Sequence, residues 1–207
     1  MSEPTPWPDI VNAIAAGASA VAAGAALFAA KRANTAAERA NDTADAVARI
    51  ERDRWHTELT PQFEITATRL GPGSNRVALL MTLTGQAGLP QLDAVTITIR
   101  DDGYTHLPGV GVTQEMLDAT IFGPYQFEPG IDDADPDGRR VTTNPMQIGD
   151  WVKHSLSVTP VPAWSNLEYW REQYRNEPIR LRLECKAAGF KPWYIATEVR
   201  VAEPTAG

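Results

Sequence analysis

The chain has 207 residues, a formal charge of −7, 43% apolar and 22% charged side chains, which suits one ordinary globular domain with an appendage and excludes wholesale disorder. From Pro61 onward 13 Lys and Arg stand against 18 Asp and Glu, so the surface repels phosphate backbones and no nucleic-acid partner is expected. A single cysteine, Cys185, excludes an internal disulfide framework and agrees with a reducing compartment.

Residues 1–9 read as a tail with Glu3 and Asp9 and no Lys or Arg, which argues against a cleaved secretory leader. Residues 10–30 carry no charge over 21 positions. As a helix they would extend roughly 30 Å, the thickness of a hydrocarbon core. Eleven of the 21 are Ala, and the strongly apolar members are Ile10, Val11, Ile14, Val21, Leu27 and Phe28. The expectation is a transmembrane helix; the alternative is an Ala-rich helix in water, buried against a partner. Lys31 and Arg32 follow at once, with Arg39 close behind. The positive-inside rule therefore predicts a single-pass membrane protein with its N-terminus outside and its C-terminal domain in the cytoplasm.

Residues 31–60 hold six cations and six anions and no Gly or Pro, so a charged juxtamembrane helix is predicted. Ala33, Ala37, Ala40, Ala44 and Val47 follow a 4-3-4-3 spacing that suits a short coiled coil, although an alanine seam buries little. A solvated single helix acting as a spacer is the equal alternative. Trp55 and Leu59, one turn apart, are expected to dock the helix onto the C-terminal domain.

From Gln62 the apolar period changes from helical to two. Phe63 and Ile65 open the series, and Val77, Leu79, Met81 and Leu83 come after a Gly-Pro-Gly-Ser-Asn turn. Val95, Ile97 and Ile99 come next. Val152, His154, Leu156 and Val158 share one face. Ile179, Leu181, Leu183 and Cys185 form another, which makes Cys185 a core residue with an inert thiol. Trp193, Ile195, Thr197, Val199 and Val201 close the set. Six strands with no helix long enough for a crossover predict an antiparallel β-sandwich over residues 61–203, immunoglobulin-like in architecture, with residues 204–207 as a tail. Two short helices interrupt it. One runs from Gln114 to Thr120 with Thr113 as N-cap. The other starts from a Ser165–Glu168 capping box, with Leu167, Trp170 and Tyr174 on one face.

Catalytic signatures are sparse. No GxSxG, HExxH, Walker loop or strand-following GxGxxG occurs, and His56, His106 and His154 have no metal-ligand spacing. A catalytic reading would need a deep pocket holding His154 or His106 beside two or more carboxylates. Asp133, Asp135, Asp137 and Gly138 reproduce the first half of a calcium loop, and alternate carboxylates can converge on one cation. The second half departs from it: position twelve is Asn144, Arg139 and Arg140 add positive charge, and Pro136 stiffens the turn. An acidic surface turn is the plainer reading.

The stretches Leu59-Thr60-Pro61-Gln62-Phe63-Glu64, Gly123-Pro124-Tyr125-Gln126-Phe127 and Lys191-Pro192-Trp193 resemble a group of actinobacterial membrane-anchored proteins with an N-terminal hydrophobic helix and a C-terminal β domain. That resemblance implies a membrane anchor and supplies neither an activity nor site residues.

These readings together predict a membrane-tethered β-sandwich serving as an interaction or scaffold module, with a protein partner or a second copy of itself as its counterpart. The alternative is a ligand-binding sandwich, taking calcium at Asp133, Asp135 and Asp137 or carbohydrate at Trp164, Tyr169, Trp170 and Tyr174. An enzyme ranks last, and no catalytic or cofactor-binding residue is assigned.

Overall fold

Alanine, glutamate and arginine dominate the first quarter of the chain, and this composition forms one helix, α1, from Trp7 to Glu58. The computed structural model describes the backbone of residues 7–85, 88 and 91–204, and the side chains of these from Leu27 onward. The chain divides into two compact units, Met1–Trp55 and His56–Gly207. Within the first, the apolar side chains Leu27, Phe28, Val47 and Ile50 are exposed, as is the alanine seam that ends at Val47. Thr35 and Thr43 donate their hydroxyls back to the carbonyls of Lys31 and Arg39.

No helix among the described residues is long and apolar enough to cross a membrane. This overturns the expected single-pass placement, N-terminus outside and C-terminal domain in the cytoplasm. Of the expected span, residues 10–26 lie outside the described side chains. The physical reason is compositional. Alanine contributes almost nothing to insertion, and past Phe28 only Ala29 and Ala30 precede Lys31 and Arg32.

The second unit begins with the last residues of α1. The His56 ring stacks on Trp193 with centroids 4.8 Å apart, and the Trp193 indole donates to the His56 carbonyl at 2.7 Å. Leu59 packs on the core, as expected. Trp55, the last residue of the first unit, is 62% exposed.

The strands are β1 (Gln62–Arg69), β2 (Arg76–Gly85), β3 (Ala94–Ile99), β4 (Tyr125–Phe127), β5 (Arg140–Thr143), β6 (Trp151–Val158), β7 (Ile179–Lys186), β8 (Trp193–Val199) and β9 (Val201–Ala202), the longer ones following period-two alternation. They form a five-stranded sheet, β4-β6-β2-β1-β9, and a four-stranded sheet, β5-β3-β7-β8. Pairing is antiparallel throughout except between β1 and β9. The buried faces of both sheets meet in one cluster, with Val77, Leu79, Met81 and Leu83 from one side and Val95, Ile97, Leu181 and Leu183 from the other. The chain is thus a mainly β, two-sheet sandwich with an N-terminal helix. Three of its strands, β4, β5 and β9, are two to four residues long, too short to show alternation.

Cys185 is fully buried opposite Val95. Burial, with Glu184 adding to it, pushes its thiol up to about 12, so it stays protonated and inert.

Helix α2 (Gln114–Asp118) is capped by the Thr113 hydroxyl, as predicted. Helix α3 spans Leu167–Tyr174, and its cap is Asn166 rather than Ser165. The Asn166 carboxamide oxygen accepts the N–H groups of Glu168 and Tyr169 at 2.9 and 3.0 Å, satisfying two first-turn donors at once.

Ile97 lies fully buried between β5 and β7. Replacing it by Ala should lower the unfolding free energy by about 2 to 5 kcal/mol, whereas Trp55→Ala should change it by less than about 0.5 kcal/mol. Urea titrations of both variants check the contrast.

Candidate functional site

Two consecutive carboxylates leave the end of β3, and they organise the ground beside it. Asp101 accepts the Phe122 N–H at 2.9 Å and the Arg139 guanidinium at 2.9 Å. Arg139 also donates to the Thr120 carbonyl at 2.7 Å, so the segment after α2 is tied to the turn before β5.

Asp102 is 3% exposed and has donors on both oxygens. Oδ1 accepts His106 Nε2 at 2.8 Å and the Tyr104 N–H at 3.2 Å. Oδ2 accepts the Tyr174 hydroxyl at 2.6 Å and the Gln173 amide at 3.3 Å. Gly103 sits at φ +53°, a backbone state glycine enters without strain, and it turns Tyr104 back onto the carboxylate. Burial, then the bond to Asp102, pushes the Tyr174 phenol well above its ordinary value, so it remains a donor.

This arrangement builds an aromatic pocket. The His106 ring lies flat on Phe122 with centroids 3.6 Å apart. Phe122, Trp164 and Trp170 meet at tilted or edge-on angles, and Trp170 meets Tyr174 edge-on at 4.8 Å. Tyr104, 74% exposed, and Tyr169, 67% exposed, stand over a cavity of about 370 Å³ lined also by Ser165 and Gln173. The structure therefore brings together the four aromatic residues singled out in the sequence, Trp164, Tyr169, Trp170 and Tyr174. It adds Tyr104 and Phe122, which sequence reasoning missed, and His106, which it named only for a catalytic reading. The Asp-Asp-Gly turn after β3 was the only local signal.

The Asp133, Asp135 and Asp137 group is not gathered. Asp135 Oδ1 accepts the N–H groups of Arg139 and Arg140 at 2.8 and 3.1 Å, and its backbone closes a turn with Gly138. Gly138 is at φ +67°, where a Cβ would come within 2.5 Å of the Phe127 carbonyl. Its conformation serves the approach of two chain segments. Asp133 and Asp137 line different cavities, and among the described residues no three His, Cys, Asp or Glu side chains are placed to hold a metal ion.

His154 lies on β6 facing the interior and is 5% exposed. It lines a cavity of about 600 Å³ together with Asp132, Asp133 and Asp150, so a histidine and carboxylates do share a pocket. No carboxylate orients the ring, however; among the described residues neither ring nitrogen has a hydrogen-bond partner. Asp132 and Asp150 accept the backbone N–H groups of Ser155 and Gln147. In the aromatic pocket His106 is oriented by Asp102, but no hydrogen bond joins it to Ser165.

Burial holds His154 below its ordinary value of 6.5, with Asp132 opposing. The unfolded chain therefore takes up a proton before the folded one. The contribution of this residue to stability is full above about pH 6.5 and falls as the pH drops from there toward the folded value. Urea melts at stepped pH should show this loss, and His154→Leu should flatten that part of the profile. Tyr174→Phe should cost about 1.5 to 3 kcal/mol by removing a donor to a buried charge, measured in the same melts.

No protein-family model matches the chain, and no curated protein sequence matches it. Among solved structures it is similar to the collagen-binding subdomain of the Enterococcus faecalis surface protein ACE, at 13% identity and a TM-score of 0.24, over 67% of this chain and 94% of that one. At that identity and score the likeness bears on neither ligand nor partner.

Proposed function

We propose that this protein is a non-catalytic interaction module whose β-sandwich recognises a glycan in the aromatic pocket. The observation that carries this reading is the pocket itself. Two largely exposed tyrosine rings stand over a cavity walled by Trp164, Trp170 and Phe122. Aromatic faces bury the C–H surface of a sugar ring, and a few placed polar groups fix its orientation. Those polar groups have spare capacity. Gln173 and His106 each use one nitrogen on Asp102, which leaves the Gln173 oxygen and His106 Nδ1 for sugar hydroxyls.

The framework also favours binding over chemistry. The buried Asp102 network holds the pocket in shape before a ligand arrives, which lowers the ordering cost of association. Hydrogen bonds run from the pocket inward to Asp102, and no activated nucleophile stands among its lining groups.

Tyr104 and Tyr169 are exposed, so replacing either leaves the core intact. The intact chain on a glycan array, followed by calorimetric titration with the oligosaccharide that binds, tests the reading. Tyr104→Ala and Tyr169→Ala should each weaken binding five- to thirtyfold, about 1 to 2 kcal/mol. An array without signal, or an affinity that survives both substitutions, would sink it.

A further inference from the structure

Helix α3 has a second open flank. There a cavity of about 720 Å³ lies between α3, the chain leaving β6 and the end of β1. Arg69, Arg171 and Arg175 line it, and no Asp or Glu does. That is a local reversal of charge in a chain whose net charge is −7. Arg69 is held in place by Glu203 at 3.0 Å and the Ser74 carbonyl at 2.9 Å. Arg171 on α3 and Arg175, the residue that caps its C-terminus, stand one turn apart, both exposed. Arg175 pairs with Glu172 at 2.8 Å on the surface, and Arg171 has no partner among the described residues.

A second, independent feature points to a ligand. Thr159 is 3% exposed and lines both this cavity and a smaller one, and its hydroxyl has no hydrogen-bond partner among the described residues. A buried hydroxyl left without a partner costs free energy that a ligand oxygen would recover. Tyr125, Val158, Leu167 and Trp170 give the rest of the wall a largely apolar surface, with Asn75 and Ser157 as its further polar members. Guanidinium groups match carboxylate and phosphate oxygens in pairs.

We infer that this groove binds an oxyanion carried on an apolar body, a carboxylate or phosphate taken by Arg171, Arg175 and Arg69 with the Thr159 hydroxyl donating to the same ligand. The site is separate from the aromatic pocket, although Trp170 and Tyr174 form part of the wall of both.

Three probes test it on the intact chain: inorganic phosphate, hexyl phosphate and hexanoate, followed by backbone amide shifts in NMR titrations. Saturable shifts at Val158, Thr159 and Arg171 are expected, with the alkyl probes tighter than inorganic phosphate. Hexyl phosphate and hexanoate in parallel tell which oxyanion is preferred. Arg171→Gln combined with Arg175→Gln should weaken binding at least about tenfold. Thr159→Val should weaken it severalfold while leaving the melting temperature unchanged or higher, because the lost hydroxyl had no partner. Tyr169→Ala should leave it unchanged, which separates this site from the glycan pocket. No saturable shift up to about 10 mM of any probe, or an affinity indifferent to the arginine pair or to Thr159→Val, overturns the inference.

Discussion

Everything placed around α3 depends on one buried carboxylate. Removing a charge from water costs several kcal/mol even after relaxation, and Asp102 offsets that cost with four donors. Two come from its own loop, Tyr104 and His106, and two from α3, Gln173 and Tyr174. Any displacement of α3 would strip Oδ2 of its partners and leave a buried negative charge among apolar neighbours. The helix is eight residues long, too short to be stable by itself. This anchor, with the packing of Trp170 and Tyr174 against Leu117 and Phe122, holds it in one position.

A rigid α3 makes two unlike surfaces from one element. Trp170 and Tyr174 point into the domain and lend their ring edges to both cavities. Tyr169 stands on the aromatic side, and Arg171 and Arg175 on the basic side. The helical period of 3.6 separates these residues around the axis, so neighbours in sequence serve different chemistry. The sandwich behind them supplies a fixed base, since its two sheets share a single packed core.

Asp132 to Gly138 shows how one pattern can serve two ends. Alternating carboxylates with a glycine suit a cation loop, and they equally suit a tight turn whose side chains accept backbone N–H groups. The structure displays the hydrogen-bonded turn. Asp135 is committed to Arg139 and Arg140, and Asp132 to Ser155. Both Asp132 and Asp133 adopt left-handed backbone at φ 54° and 60°, a state aspartate enters more readily than most residues. The alanine-rich start of the chain is a similar case. Lack of charge over a bilayer's length is necessary for a span, but alanine brings too little apolar surface for length alone to settle it.

The amino-acid sequence by itself determined what depends on local period and local turns. It set the long helix, the alternating strands β2, β3, β7 and β8, the inward-facing Cys185, and the Thr113 cap. These arise from backbone geometry repeating every 3.6 or two residues. Four results were decided only by the tertiary structure: the short strands β4, β5 and β9, the stacking of His56 on Trp193, the cap at Asn166, and the joining of Asp102 to Tyr174 across 72 positions. Such contacts arise when packing brings distant segments within hydrogen-bond reach. The aromatic pocket belongs to both levels: its rings on and beside α3 were legible from their spacing, while the carboxylate that assembles them was not.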